Sequence, residues 1–131
     1  MAADWKWLGV EAILAVHEEQ LAEHGGGSGI RDRGLLESAL ARPQNLAVYG
    51  DPDAAALAAA YAFGIARNHP FVDGNKRSAA VAAIMFLWLN EVETDIAEAE
   101  LVVTILALAA GALGEDRLAS WLRVGIARAW G

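Results

Sequence analysis

The stretch His69-Pro70-Phe71-Val72-Asp73-Gly74-Asn75-Lys76-Arg77-Ser78-Ala79 separates two helical patterns and decides the architecture. Ahead of it lies an alanine-rich segment that opens with Asp51-Pro52, a cap followed by a proline suited to the first helical position. Pro70 disfavours helical backbone at His69, so this helix is predicted to end at Arg67 or Asn68. The next is predicted from about Asn75 to Asn90. No charged residue occurs between positions 79 and 89. A helix that is apolar all round is buried in the middle of its fold. The polar loop is thereby mounted on a rigid central element, as a pre-organised site requires.

The loop crowds an imidazole, a carboxylate, a glycine, an amide, an ammonium and a guanidinium into nine residues. Each group suits phosphate chemistry. His69 can take a proton from a hydroxyl near neutral pH. Asp73 is a hard oxygen ligand of the kind magnesium uses alongside substrate phosphates, although it could equally cap the following helix. Gly74 lets backbone approach an anion. The N–H groups around Gly74, Asn75 and Lys76 open a helix, where free donors and the dipole favour negative charge, and the Asn75 amide is placed to add to them. Lys76 and Arg77 supply a point charge and a planar fork. Cations are unfavourable in a first turn unless something anionic binds there. Arg67 stands at the end of the preceding helix, where a cation already has a structural explanation; its role on phosphate is the weaker expectation. Phe71 is expected only to pack. His17 and His24 read as structural or surface residues.

Along the rest of the chain, residues 8–23 carry apolar positions at helical spacing (Val10, Ile13, Leu14, His17, Leu21). Gly25-Gly26-Gly27-Ser28-Gly29 ends that helix. It lacks the Lys-Ser/Thr of a Walker loop and reads as a C-cap and flexible connection. Asp32 is expected to cap a short helix that runs through Ala41 and ends at Pro43. Residues 45–50 are too short for a helix of their own; they read either as an extended flap or as a loop packing Leu46 and Tyr49 on the core. A helix is predicted over residues 97–110, ended by Gly111 or Gly114, and a last one, capped by Asp116, to about Ala129. Trp5, Trp7, Trp121 and Trp130 lie near the termini, to seal the core or to meet a partner.

The 131 residues suit one domain, residues 1–131, with one core. Hydrophobic residues make up 56% and the mean hydropathy is +0.30, so the core is generous. The formal net charge of −7 argues against direct nucleic-acid binding. Of the ten Lys and Arg, Arg67, Lys76 and Arg77 flank the loop, giving a local positive field suited to a small anion. There is no cysteine, hence no disulfide and no thiolate metal site, which fits a reducing cytoplasm. The sequence from Met1 to Lys6 lacks the basic-then-apolar pattern of a signal peptide. The apolar stretches 79–89 and 101–113 are shorter than the ~20 residues of a membrane span.

The loop resembles the signature of the Fic/Doc family, His-Pro-Phe-x-Asp/Glu-Gly-Asn-Gly/Lys-Arg, at nine successive positions from His69 to Arg77. Lys76 replaces the second glycine of the AMP-transferring Fic enzymes, and Ala80 replaces their second arginine; both point to the Doc (death-on-curing) branch. The segment from Gly29-Ile30-Arg31-Asp32 to Arg42-Pro43-Gln44 is similar to that branch as well. Gly74 agrees with Fic, where some Doc proteins have alanine.

The resemblance implies an all-α bundle of about six helices around a buried central one, with a small β-hairpin flap at residues 45–50 that holds a target polypeptide by strand addition. It implies His69 as the base, Asp73 as the magnesium ligand, and Gly74, Asn75, Lys76, Arg77 and Arg67 on the nucleotide phosphates. The activity implied is that of a cytoplasmic toxin that moves the γ-phosphate of ATP to a Ser or Thr hydroxyl, with elongation factor Tu as target and a Phd-like antitoxin as partner. AMP transfer is the rival reaction, and a non-catalytic module binding nucleotide or partner is the rival of another class. Some Fic proteins block their own nucleotide site with the glutamate of a Ser/Thr-x-x-x-Glu-Gly/Asn pattern. Thr94 and Glu98 stand at that spacing here, but Ala99 breaks the pattern, so self-inhibition is not expected.

Overall fold

The computed structural model describes residues 4–130; Met1 to Ala3, where the N-terminal reading begins, lie outside them. Six helices follow one another: α1 (Val10–His24), α2 (Arg33–Tyr49), α3 (Ala54–Asn68), α4 (Asn75–Leu89), α5 (Glu98–Ala109) and α6 (Glu115–Trp130). The described residues form no sheet, only an isolated antiparallel bridge between Ile30 and Phe71. The all-α reading holds; the hairpin flap does not.

Helices α3 and α4 are the centre. Ten residues of α3 are buried, on all sides of the helix. The eight of α4 lie along one broad face, and Trp88 on the other is 77% exposed, so α4, though free of charge from 79 to 89, is not buried all round as expected. Alanines and Gly64 let the neighbours approach closely. A Cβ on Gly64 would stand 3.0–3.1 Å from Cα, Cβ and O of Ala39, so α2 crosses α3 almost backbone to backbone. Phe86 of α4 receives Trp5, Trp7 and Tyr61 at centroid distances of 6.0, 5.9 and 5.2 Å, and Tyr61 Oη accepts the Leu8 N–H at 2.9 Å. Two of the terminal tryptophans thus seal the core, whereas Trp130 remains 84% exposed.

The largest departure from expectation concerns α2. It does not stop at Pro43 but carries it in its interior and continues through residues 45–49. Pro43 is buried, so packing of the helix onto the core outweighs the one backbone bond that proline cannot donate. The segment read as flap or loop is therefore the last turn and a half of a helix. Ala47 packs against the core, but Val48 is 73% and Tyr49 89% exposed, so Tyr49 does not pack there as the loop reading expected. The start of α3 also moves. Asp53, not Asp51, is the cap, accepting the Ala56 N–H at 2.9 Å. The same carboxylate takes both arms of Arg123 at 2.6 and 3.0 Å, which ties the start of α3 to α6 and holds the Asp53 carboxyl below its usual range. Asp32 caps α2 as expected, through the Leu35 N–H at 3.0 Å. Asp116 lies inside the first turn of α6, one residue past the helix start, and is not its cap. Among the described residues no helix is long and apolar enough to cross a membrane.

Candidate functional site

Residues 69–74 connect the two buried helices, and nearly every turn of that connection is fixed. His69 ends α3 in the left-handed conformation (φ 50°, ψ 56°), donating its N–H to the Ile65 carbonyl at 3.2 Å. Such backbone costs a non-glycine residue of order 1–3 kcal/mol and persists only where the surroundings impose it. The surroundings are explicit. The Arg31 guanidinium donates to the carbonyls of His69 (2.7 Å) and Asn68 (2.8 Å), and the Pro70 carbonyl accepts from the N–H groups of Arg31 and Asp32 at 2.7 and 3.0 Å. Phe71 is 1% exposed and stacks on the buried His17 ring, centroids 3.8 Å apart and planes 5° apart. His17 Nε2 lies 2.8 Å from the Asp73 carbonyl, to which it donates.

Asn75 departs from its expected role. Its side chain is buried and closes a two-way clasp on Phe71, accepting that residue's N–H at 2.9 Å and donating to its carbonyl at 3.0 Å. The buried amide thus shapes the loop, spending its oxygen and one of its two N–H donors on Phe71, and the backbone N–H is the group Asn75 brings to the helix mouth.

What the clasp leaves free is the mouth of α4. Gly74 is the cap residue, at φ 76°, and supplies no side chain. Asp73 does not cap the helix either: its Oδ1 accepts the N–H of Gly74 at 2.8 Å, one residue too early. The first intrahelical bond runs from the Ser78 N–H to the Gly74 carbonyl, so among the described residues the N–H groups of Asn75, Lys76 and Arg77 are without a partner. Lys76 and Arg77 are exposed and enter no ion pair among those residues. Three N–H groups, an ammonium and a guanidinium converge on one cleft of about 510 Å³, which His69, Asp73 and Gly74 also line. Its opposite wall is built by Gln20, Leu21, His24, Gly25 and Gly26, from the end of α1 and the glycine stretch.

Six of the seven expected site residues, His69, Asp73, Gly74, Asn75, Lys76 and Arg77, therefore share one cleft. Arg67 does not. Its guanidinium lies over the Phe63 ring, 5.6 Å from the centroid, outside the cleft lining. No glutamate lines the cleft, and Glu98 faces a separate cavity between α4 and α5. His17, Arg31 and the glycine stretch are the contributors that sequence reading missed. Their signal was weak: a histidine at an apolar helical position and a run of glycines longer than a helix end needs.

The family model described as Fic/DOC family matches residues 7–87, more than half of the chain and all of the clasped loop. The chain belongs to the Fic/Doc family. Two relatives place it in the Doc branch. The Toxin Doc of Mycolicibacterium smegmatis (strain ATCC 700084 / mc(2)155) is 50% identical over 72 residues, which are 53% of this chain and 55% of that protein, so the match spans about half of either. The Protein kinase doc of Escherichia phage P1 is 32% identical over 114 residues, 86% of this chain and 90% of that one. In this Doc-branch chain the motif's residues divide into two jobs: Phe71 and Asn75 hold the loop, while His69, Asp73, Lys76 and Arg77 face the cleft.

Proposed function

We propose that this chain is a Doc-type toxin that transfers the γ-phosphate of ATP to a Ser or Thr hydroxyl of a target protein, elongation factor Tu being the target that the family resemblance suggests. The observation that carries the reading is the uncapped mouth of α4, with three free N–H groups, Lys76 and Arg77 turned to the cleft that His69 lines. The name of the phage relative, a protein kinase, agrees with it. The phosphate chain lies against the α4 N-terminus and the two cations. His69 takes the proton of the acceptor hydroxyl, whose oxygen bonds to the γ-phosphorus while the bond to the β–γ bridging oxygen breaks and ADP leaves. Most of the work is positioning and charge stabilisation, which suits a site whose loop is fixed before substrate arrives.

Magnesium fits the residues present. The described residues hold no cluster of three His, Asp or Glu side chains that would cage an ion unaided. Asp73 offers one exposed carboxylate beside the phosphate mouth, the arrangement in which magnesium takes its other oxygens from phosphates and water. Asp73 would hold the ion, which would supply charge neutralisation. A cytoplasmic setting and a Phd-like antitoxin belong to the same proposal; with no glutamate in the cleft, restraint comes from a separate chain.

The test is incubation of purified protein with γ-labelled ATP, magnesium and a bacterial lysate. Label is expected on one protein band with wild type and none with His69→Ala. ATP bound without transfer to any protein would favour the non-catalytic module.

A further inference from the structure

The glycine stretch after α1, a wall of the cleft with no role in the proposed chemistry, touches the carboxylate assigned to magnesium. Gly26 lies at φ +125°, and a Cβ there would stand 2.8 Å from Asp73 Oδ2 and 3.2 Å from its Cγ. The neighbouring Gly27 N–H points at the same oxygen from 3.4 Å. On the other side the Asp73 carbonyl is held by His17, and Oδ1 by the Gly74 N–H. The carboxylate is therefore bounded by backbone on the face that a side chain would otherwise occupy. Its position is set by two unconnected segments: the motif loop and the glycine stretch.

We propose that Gly26 is a positioning residue: the bare backbone at Gly26 and Gly27 keeps the Asp73 carboxylate in the orientation in which it ligates magnesium beside the nucleotide phosphates. This rests on the phosphotransfer reading. Removing a residue that orients a metal ligand costs typically 10–100-fold in metal affinity. Gly29 supplies the matched control. It lies in the same stretch at φ +103°, so an added methyl strains the backbone similarly, but nothing lies within 4 Å of where that methyl would go.

The experiment is calorimetric titration of magnesium into full-length protein with ATP, in wild type, Gly26→Ala and Gly29→Ala. Gly26→Ala is expected to raise the magnesium concentration for half-maximal nucleotide binding at least about tenfold, with magnesium-free ATP binding unchanged and Gly29→Ala near wild type. Equal shifts in the two variants, with a wild type that responds to magnesium, would overturn the positioning role alone. No magnesium response in the wild type would instead overturn the phosphotransfer reading beneath it. Should Gly26→Ala fail to fold, Gly26→Ala with Asp73→Ala is expected to regain folding, because the colliding carboxylate is gone. A double variant no more stable than the single one would show that the collision lies elsewhere and end the proposal.

Discussion

Residues 69–74 and residues 45–50 flank the same buried helix, α3, and they behave in opposite ways. The first is short, irregular and clasped. Asn75 grips Phe71 from both sides, His17 holds Asp73, and Arg31 holds the carbonyls of Asn68 and His69. The second, expected to be an extended flap or a loop, is the regular end of α2, with Val48 and Tyr49 standing in solvent. Irregular backbone needs side chains to satisfy it, and those side chains leave a mark in sequence. A helix end that merely continues needs none. Strand addition to a flap is not open to a helical segment, so a target would meet this face of the molecule through side chains.

The contrast can be broken most directly at His69. His69→Ala is expected to lower transfer at least ~100-fold, the low end for a lost general base, while melting within a few degrees of wild type, because the side chain is exposed. A variant that unfolds would make His69 a structural residue and blur the division between clasp and cleft. Next in size is the clasp. Phe71→Ala is expected to cost about 3–5 kcal/mol, as for other fully buried phenylalanines, whereas Tyr49→Ala, on the exposed end of α2, should stay within about 0.5 kcal/mol. Denaturant midpoints would decide; similar costs at the two positions would mean that residues 45–49 pack on something this fold does not show.

These outcomes bear on what the sequence made legible. The charge-free run after Ser78 announced the buried helix, and Pro70 placed the break before it. The motif named the residues that line the cleft, since a carboxylate, an imidazole and two cations in one loop have few other uses. It did not reveal that the Asn75 amide is spent on Phe71, because an amide serves a loop and an anion equally well. Nor did Pro43 behave as a helix end; its burial against the core is a tertiary fact that no local rule contains. Asp51 and Asp53 are both good caps, and only the pairing of Asp53 with Arg123, 70 positions away, separates them. The glycine stretch read as a connection because its neighbour, Asp73, lies 46 to 47 positions distant.

A smaller effect tests the centre of the bundle rather than its site. Burial pushes the Tyr61 phenol up from 10.0 to about 12, so the neutral form is the one the fold favours. Stability from this group is complete below pH 10 and is lost as the pH rises towards 12. The loss is expected to be about 3 kcal/mol across that range. Tyr61→Phe should be less stable at neutral pH, having lost the bonds to Leu8, but should remove most of the alkaline decline. An unchanged decline in Tyr61→Phe would assign it to other groups.

The proposed transfer of the γ-phosphate, rather than of AMP, rests on Lys76. An ammonium in place of glycine occupies space and charge that an α-phosphate pose would need, and Ala80, 4% exposed within α4, offers no second guanidinium to clamp that pose. Parallel incubations with ATP labelled at the α- or the γ-phosphate, magnesium, the purified chain and a bacterial lysate test this in one step. Label is predicted on a protein from the γ-position alone, with a mass gain of one phosphoryl group. Label arriving from the α-position would contradict the account and make the chain an AMP transferase.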